Sequence, residues 1–283
     1  MSVKLLKALN KLFPLPVHPF NLQNDGVTTY AKWQYEKGEN TIKFYLDSPF
    51  VKNPEDMFSG KDVLDIGCGA AGKSLYYASL GAEKVHGVDV VEHYAEESAK
   101  LAADLGLSDK FEFHLCDAAC LEFPENTFDT IIMNDSMEHV AEPEKVVEQC
   151  RRVLKTGGKL YVNFCPYHHP YGAHLSDAIG IPWVHLFFSE TTMIAAYKEL
   201  IKGLPDEESR LEFRFSENEK GVETISYINH MTIKRFRGIL KGSGMSVRYY
   251  NEIPLRSIFK LFAKLPLLKE MFVKMTVAVL EKN

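Results

Sequence analysis

The sequence predicts an α/β fold built on a doubly wound, mostly parallel sheet. Between about residues 60 and 165, short apolar runs alternate with amphipathic helical stretches. A glycine-rich loop follows the first run, and the 283 residues suffice for one large domain or for one domain with a lid. The strands that we predict are DVLDIG (62–67), KVHGVDV (84–90), FEFHLCDA (111–118), FDTIIMND (128–135) and KLYVNF (159–164).

Two helices are predicted between those strands. One spans about 91–105 and stops at Gly106, and the other has Pro143 in its first turn and ends at the pair Gly157-Gly158. The apolar face of the second helix is formed by residues that recur at helical spacing, namely Val146, Val147, Cys150, Val153 and Leu154.

Beyond residue 165 the alternation stops. The following residues are rich in aromatic side chains and histidines and then in charges, which predicts a lid inserted over the sheet. A helix at about 229–241 and strands at 245–251 and 275–283 would complete the sheet. The predicted parts are an N-terminal helical cap (1–58), a cofactor-binding core (59–165), the lid insertion (166–230) and a C-terminal completion of the sheet (231–283).

Composition and charge argue against several classes of protein. Lys and Arg number 33 and Asp and Glu 38, and the net charge of −5 disfavours a nucleic-acid partner. We find no apolar run of the about 18 residues that a membrane span needs, and we do not expect the lysine-interrupted start to be a secretory signal. The cysteines Cys68, Cys116, Cys120, Cys150 and Cys165 contain no C-x-x-C pair and are interpreted as reduced thiols. These observations predict a soluble cytoplasmic protein.

The segment VLDIGCGAAG holds the most informative motif. Gly67, Gly69 and Gly72 follow a buried strand with G-x-G-x-x-G spacing, which lets the backbone turn sharply and approach a ligand closely. The motif alone fits a dinucleotide as well as S-adenosylmethionine.

Acidic residues at the ends of three successive predicted strands separate the two ligands. Asp65 precedes the loop, where a carboxylate can hold an ammonium group, directly or through water, but would repel a pyrophosphate. Asp89 is placed to accept both ribose hydroxyls, and Asp117 to accept the adenine amino group, with the backbone of Ala118 beside it. Three acids round one crevice suit a cationic nucleoside better than a dinucleotide.

Five segments, in this order, resemble the class I S-adenosylmethionine-dependent methyltransferases: VLDIGCG, HGVDV, CDAACLEFPENTFDTIIMND, SMEHV and LKTGGKLYV. The resemblance covers residues 60–165 closely and the remainder loosely. It implies a seven-stranded Rossmann-like sheet and S-adenosylmethionine as the cofactor. The cofactor-binding residues that it implies are Asp65, Gly67, Gly69, Asp89, Val90, Asp117, Ala118 and Asn134.

The acceptor should meet the residues after the fourth and fifth strands, because ligands bind outside the carboxyl ends of strands in a doubly wound sheet. The segment 134–139 lacks the consecutive prolines usual in methyltransferases that act on DNA bases. Cys165, where some RNA cytosine methyltransferases place a nucleophile, is interpreted as a packed residue. The predicted acceptor is therefore a small molecule and not a nucleic acid.

Asp135, Glu138 and His139 are spaced i, i+3 and i+4, so a helical turn would point them to one side. The spacing resembles the acid-x-x-Glu-His segment of ubiquinone-biosynthesis O-methyltransferases, where it can hold a divalent metal. We prefer a simple helix start with His139 facing the crevice, because the first position of that motif is usually Glu. The sequence does not decide whether these three residues bind a divalent metal ion.

The lid begins with four histidines among three aromatic residues: His168, His169, His174, His185, Tyr167, Tyr171 and Trp183. The ordinary pKa of histidine, about 6.5, suits removal of a proton from a hydroxyl that is being methylated. We therefore select His139, His169 and His174 as candidate bases and expect an aromatic or apolar acceptor, methylated at a hydroxyl oxygen. The alternatives are an NAD-dependent oxidoreductase with the same glycine loop and a non-catalytic S-adenosylmethionine-binding protein.

Two basic amphipathic stretches, VKLLKALNKLF and RSIFKLFAKLPLLKEMFVK, lie near the two ends of the sequence. Such helices can lie on a membrane surface, but we favour ordinary packing on the protein surface over peripheral membrane contact. The sequence predicts no particular oligomeric state.

Overall fold

A seven-stranded sheet forms the centre of the molecule. The computed structural model describes residues 2–266 and 268–283, so that Met1 and Leu267 lie outside the described residues. In the described ranges the strands are β1 (Asp62–Ile66), β2 (Lys84–Asp89), β3 (Phe111–Leu115), β4 (Phe128–Asn134), β5 (Leu154–Phe164), β6 (Phe215–Glu217), β7 (Glu223–Ile225), β8 (Ser246–Pro254) and β9 (Val273–Glu281). The order in the sheet is β3-β2-β1-β4-β5-β9-β8. Strands β1 to β5 are parallel, and β9 runs antiparallel to β5 and β8. The predicted fold class is confirmed.

Helices surround this sheet. They are α1 (Val3–Asn10), α2 (Pro19–Asn24), α3 (Tyr30–Glu36), α4 (Glu39–Ile42), α5 (Glu55–Phe58), α6 (Gly72–Ser79), α7 (Tyr94–Asp104), α8 (Pro143–Val153), α9 (Val184–Phe187), α10 (Glu190–Ile201), α11 (Glu207–Arg214), α12 (Ile233–Gly242) and α13 (Lys269–Phe272). Successive strand residues face opposite sides, and each side has its own core. Leu64 packs with residues of α8 and α12, whereas Val63 packs with residues of α3, α6 and α7.

The chain places β2 and β3 on one side of β1, and β4 and β5 on the other. The strand order therefore reverses between β1 and β4, and a crevice opens at their carboxyl ends, where doubly wound sheets bind ligands. Both the glycine loop after β1 and the segment after β4 lie at this edge.

The end of α8 differs from the prediction. The helix ends at Val153, and Leu154 already has an extended backbone and pairs with Phe128 of β4. The register then shifts, so that Thr130 lies opposite Lys159. The predicted helix end at Gly157-Gly158 was wrong because Leu154 joins the sheet and the glycines form an irregularity within β5, where Gly157 has a φ of 78°.

The region predicted as a helical cap contains α1 to α5. Helix α3 approaches the start of α6 so closely that a Cβ on Gly72 would lie 2.1 Å from the carbonyl oxygen of Ala31. The third glycine of the motif thus permits helix packing, in addition to any role in the loop. Helix α1 lies elsewhere, because its buried Leu6 packs among lid residues.

The region predicted as a lid contains α9 to α11 and the hairpin of β6 and β7. A buried ion-pair cluster lies inside it. Asp177 accepts from Arg210 Nη1 at 2.8 Å, from Arg214 Nη2 at 3.0 Å and from the hydroxyl of Tyr197 at 2.6 Å. Asn21 of α2 donates to the carbonyl oxygen of Asp177, so the cluster also joins the cap to the lid.

The second amphipathic stretch is not the single helix that we predicted. It forms two short 3₁₀ turns, Ser257–Phe259 and Phe262–Lys264, followed by α13. Pro266 interrupts the stretch, since proline is incompatible with a helix interior. Among the described residues, no helix has the length and apolar character needed to cross a membrane.

Candidate functional site

The glycine loop turns from β1 into α6 through left-handed backbone. Gly67 has a φ of 72°, Gly69 of 54° and Ala71 of 61°, and α6 begins at the next residue. A Cβ on Gly67 would lie 2.7 Å from Cβ of Ser136, in the segment after β4. Above Gly69, the ring of Tyr94 is the only group of the described residues that comes within 4 Å of a Cβ position, at 3.9 Å. The loop thus packs tightly on its inner side and leaves space for a ligand above Gly69.

Asp89 at the end of β2 is bonded to this loop. Its Oδ2 accepts from the N–H of Gly69 at 2.8 Å, and its Oδ1 accepts from the N–H of Val91 at 3.1 Å. Burial raises the pKa of Asp89 above its usual value, against these backbone hydrogen bonds. Each carboxylate oxygen retains a second lone pair, which is what the predicted contacts with two ribose hydroxyls require. Val90 lies beside it with 67% of its surface exposed, available to pack against a ligand.

Asp117 follows β3 and stabilises the next turn. Its Oδ1 accepts from the N–H of Ala119 at 2.8 Å, its side chain is exposed, and Ala118 beside it is buried. Asp89 and Asp117 therefore lie at the carboxyl ends of neighbouring strands, as the sequence predicted. Their assignment to the ribose and the adenine remains a prediction.

Asp65 lies beneath the loop and is only 2% exposed. The hydroxyl of Ser74 donates to its Oδ2 at 2.6 Å, and burial raises the pKa of Asp65 to about 7. This depth favours the water-mediated form of the expected contact with an ammonium group over the direct one. A nearby ligand cation would restore the ionised form.

Asn134 at the end of β4 faces inward. Its Oδ1 accepts from the hydroxyl of Tyr45 at 2.8 Å and also from Nδ2 of Asn163, while its Nδ2 donates to the hydroxyl oxygen of Tyr77 at 2.7 Å. The structure therefore does not bring this amide to the crevice surface. Its carbonyl oxygen instead accepts from Nζ of Lys73 at 3.2 Å.

His139 has a defined tautomer. Its Nδ1 lies 2.8 Å from the carbonyl oxygen of Tyr227, which can only accept, so Nδ1 carries the hydrogen and Nε2 has a free lone pair. The ring stacks on that of Tyr227 at 4.6 Å between centroids. Burial lowers the pKa of His139 to about 4, so the imidazole is neutral at pH 7 and can accept a proton at Nε2.

The other two candidate bases differ in geometry. Nδ1 of His174 lies 3.2 Å from the hydroxyl of Tyr227, and its ring meets that of His139 edge-on at 5.0 Å. Nδ1 of His169 instead accepts from the N–H of Tyr171 at 3.2 Å, which places its hydrogen on Nε2. His169 therefore offers no free lone pair in this tautomer, whereas His139 keeps one at Nε2, and the role of a base stays a prediction for all three histidines.

Glu138 was not among the candidate catalytic residues, yet the structure makes it conspicuous. It is 3% exposed and its Oε1 accepts from the N–H of Cys165 at 3.1 Å, while its Oε2 has no hydrogen-bond partner in the described part of the chain. Burial, followed by repulsion from Asp135, raises the pKa of Glu138 to about 8. It lines a small pocket with other side chains from the segments after β4 and β5 and from the lid, including Tyr167, His174 and Met231.

The three residues weighed as metal ligands do not point their donor atoms together. Asp135 pairs with Lys73 at 3.0 Å, Oε1 of Glu138 binds the backbone of Cys165, and Nδ1 of His139 binds that of Tyr227. These contacts occupy one carboxylate oxygen of Glu138 and one ring nitrogen of His139, and the interpretation without a metal stays a prediction. The i, i+3, i+4 spacing identifies Glu138 in the sequence as a charged residue of possible interest. Its burial could not be predicted in this way, because it depends on packing with the lid.

The strand order, the left-handed glycine loop and the acids at three strand ends define the core as a class I S-adenosylmethionine-dependent methyltransferase domain. Residues 64–162 match the family described as "Methyltransferase domain", so the chain carries a domain of that family. S-adenosylmethionine is the cofactor of this class. The open space above Gly69 and the lone pairs of Asp89 fit its nucleoside.

Curated relatives share this core. The probable tocopherol O-methyltransferase, chloroplastic, of Oryza sativa subsp. japonica is 34% identical over 102 residues, which are 36% of this chain and 28% of that protein. The sterol 4-C-methyltransferase strm-1 of Caenorhabditis elegans is 33% identical over 132 residues, 43% of this chain and 39% of that protein. The ubiquinone biosynthesis O-methyltransferase of Idiomarina loihiensis is 32% identical over 112 residues, 40% of this chain and 45% of that protein. The chain thus spans less than half the length of each of these relatives.

A solved structure extends the likeness beyond the core. Geranyl diphosphate methyltransferase in complex with S-adenosylmethionine aligns with a TM-score of 0.54 at 14% identity, over 88% of this chain and 85% of that chain. At this identity the match shows a shared fold.

Proposed function

We propose that this protein transfers the methyl group of S-adenosylmethionine to a hydroxyl oxygen of a small, apolar or aromatic acceptor. The observation that carries this proposal is the tautomer of His139, whose Nδ1 is held by the carbonyl oxygen of Tyr227 in the lid, so that Nε2 keeps its lone pair. A hydroxyl loses its proton when it is methylated, and a neutral imidazole is suited to accept it.

The chain's own residues divide the work. The loop at Gly67 and Gly69, with Asp65, Asp89 and Asp117, would hold the cofactor, which supplies an electrophilic methyl group on a sulfonium when bound. His139 would accept the proton of the acceptor at Nε2. Glu138, neutral at pH 7, would donate from Oε2 to the acceptor oxygen and orient it.

The side chains around Glu138 support an apolar or aromatic acceptor. Apart from Glu138 and two histidines, its surroundings consist of Cys165, Tyr167, Gly172, Ile228 and Met231, so that most of this wall is apolar. The tocopherol, sterol and ubiquinone named for the relatives are largely apolar molecules, which is consistent with this wall. Because one of these relatives is named a C-methyltransferase, oxygen as the acceptor atom rests on the geometry of His139 alone.

The free cysteines accord with the predicted cytoplasmic location. All five are unpaired thiols in the structure, as expected for a protein in a reducing compartment.

The direct test is a screen of hydroxylated small molecules with labelled methyl donor, read by mass spectrometry. Wild-type protein should methylate at least one apolar alcohol or phenol, and His139→Gln should lose this turnover while binding S-adenosylmethionine normally. Asp104→Asn, a change at the exposed end of α7, serves as the control. Cofactor binding without turnover on any acceptor would instead support the non-catalytic alternative.

A further inference from the structure

We propose that His86, Glu112 and His114 form a binding site for a transition-metal ion such as Zn²⁺ at the outer edge of the sheet. One donor atom from each of these residues lies within 4.8 Å of the other two. The site is independent of the proposed methyl transfer, and it differs from the group of Asp135, Glu138 and His139, whose donor atoms do not form such a cluster among the described residues.

The sheet itself brings the three residues together. Strands β2 and β3 are parallel neighbours, and His86 lies opposite Glu112 in their register. His114 follows Glu112 by two residues and therefore projects from the same face of β3. Since β3 is the last strand on this side of the sheet, the site opens towards solvent, and Glu112 is exposed.

The distances suit a tetrahedral ion. Nδ1 of His86 lies 2.9 Å from Nε2 of His114, and the carboxylate oxygens of Glu112 lie 3.7 Å from His114 Nε2 and 4.0 Å from His86 Nδ1. Tetrahedral zinc with bonds of about 2.0–2.1 Å places its ligand atoms about 3.3 Å apart. Small rotations of the side chains therefore suffice, and the ion would replace the hydrogen bond between the two rings.

The chemistry of the donors matches zinc. Two imidazoles and one carboxylate are a frequent zinc ligand set that leaves the fourth position open for water. Calcium or magnesium is not the expected ion, because both prefer oxygen ligands.

Aromatic rings hold the histidines in place. The ring of Phe123 contacts those of His86 and His114 at 5.6 and 4.9 Å between centroids, and Phe128 contacts His86 at 5.5 Å.

The charge of Lys84 disfavours metal binding at this site. Its Nζ lies 3.4 Å from Glu112 Oε2, where it competes with a metal ion for the carboxylate. An ion bound here would join the edge strand β3 to β2. Its histidine ligands precede Asp89, at the end of β2, and Asp117, just after β3, by three residues each.

The test uses the full chain, freed of metal with a chelator and titrated with Zn²⁺ by calorimetry and with Co²⁺ by visible spectroscopy. One equivalent of each ion should bind, and Co²⁺ should show the intense visible bands of a tetrahedral site. His86→Gln and His114→Gln should each weaken binding more than about tenfold. Lys84→Ala should tighten binding, because it removes the competing cation.

Two variants serve as controls, and circular dichroism would confirm that every variant is folded. His93→Gln should leave metal binding unchanged, since its ring lies just before α7, 3.9 Å from Glu97. Glu138→Gln should also leave it unchanged. Absence of binding to the wild type, or affinity unaltered in both His86→Gln and His114→Gln, would overturn the proposal. Loss of binding in Glu138→Gln alone would do so as well, because it would place the ion in the crevice.

Discussion

The carboxylate of Asp89 accepts a hydrogen bond from the backbone N–H of Gly69, with 2.8 Å between Oδ2 and the nitrogen. This bond joins the end of β2 to the glycine loop at the end of β1, so the two elements that are expected to hold the nucleoside form one unit. A charge-assisted bond to a backbone N–H is stronger than a neutral one. The loop is thus set in its ligand-binding conformation by a side chain that is itself expected to bind the ligand.

Removal of this carboxylate should weaken cofactor binding. Asp89→Ala should cost about 1.5–3 kcal/mol of S-adenosylmethionine affinity in calorimetry, because it removes charge-assisted bonds to the ribose and loosens the loop. Asp104→Ala, at the exposed end of α7, should have no effect. Unchanged affinity for S-adenosylmethionine in a folded Asp89→Ala protein would contradict the prediction that the end of β2 binds the cofactor.

The histidines should differ in their effect on turnover. A general base contributes about 10²–10⁴-fold, so His139→Gln should lower kcat by that order with cofactor affinity nearly intact. His169→Gln should have a smaller effect, since its Nδ1 lone pair is occupied by Tyr171.

The pH–rate profile provides a second measurement of the same base. Because burial lowers the pKa of His139 to about 4, the wild-type rate should fall only as the pH drops towards that value. His139→Gln should abolish this acid limb. If His139→Gln and His169→Gln lowered kcat equally, or if His139→Gln kept the acid limb, the general base would have to be a group other than His139.

Glu138 should make stability depend on pH. Its pKa is raised from 4.5 to about 8 by burial, so between these values the folded state binds a proton that the unfolded state has released. The free energy of unfolding should therefore fall as the pH rises through that window. Glu138→Gln has no proton to lose, and its stability relative to wild type should increase between pH 5 and pH 8 by about 3.5 kcal/mol. Parallel curves for the two proteins in urea denaturation would contradict a neutral Glu138.

The lid should depend on its buried acid. Asp177→Ala leaves Arg210 and Arg214 buried without their common partner, and loss of one member of such a cluster typically costs about 3–5 kcal/mol. Glu199→Ala breaks the exposed pair with Lys7 and should cost less than about 1 kcal/mol. Thermal unfolding followed by calorimetry would compare the two variants, and similar losses would show that the Asp177 cluster adds nothing beyond a surface pair.

Features set by local patterns could be predicted from the sequence. The strands from β1 to β4 begin at the predicted residues, because short apolar runs between turns specify buried parallel strands. The loop of Gly67 and Gly69 and the acids Asp65, Asp89 and Asp117 follow from the same pattern, since parallel strands end at one edge. The pair Gly157-Gly158 shows the limit of such reasoning, because pairing with Phe128 of a distant strand, not local propensity, ended α8.

Only the tertiary structure decided the state of the polar side chains. Asn134 turned inward because Tyr45, 89 residues away, and Tyr77 surround it, and His139 received its tautomer from the backbone of Tyr227, 88 residues away. The neutral state of Glu138 likewise depends on its burial. Periodicity in a sequence reports which face of an element is apolar, whereas a proton's position depends on desolvation and hydrogen-bond partners that distant segments supply on folding.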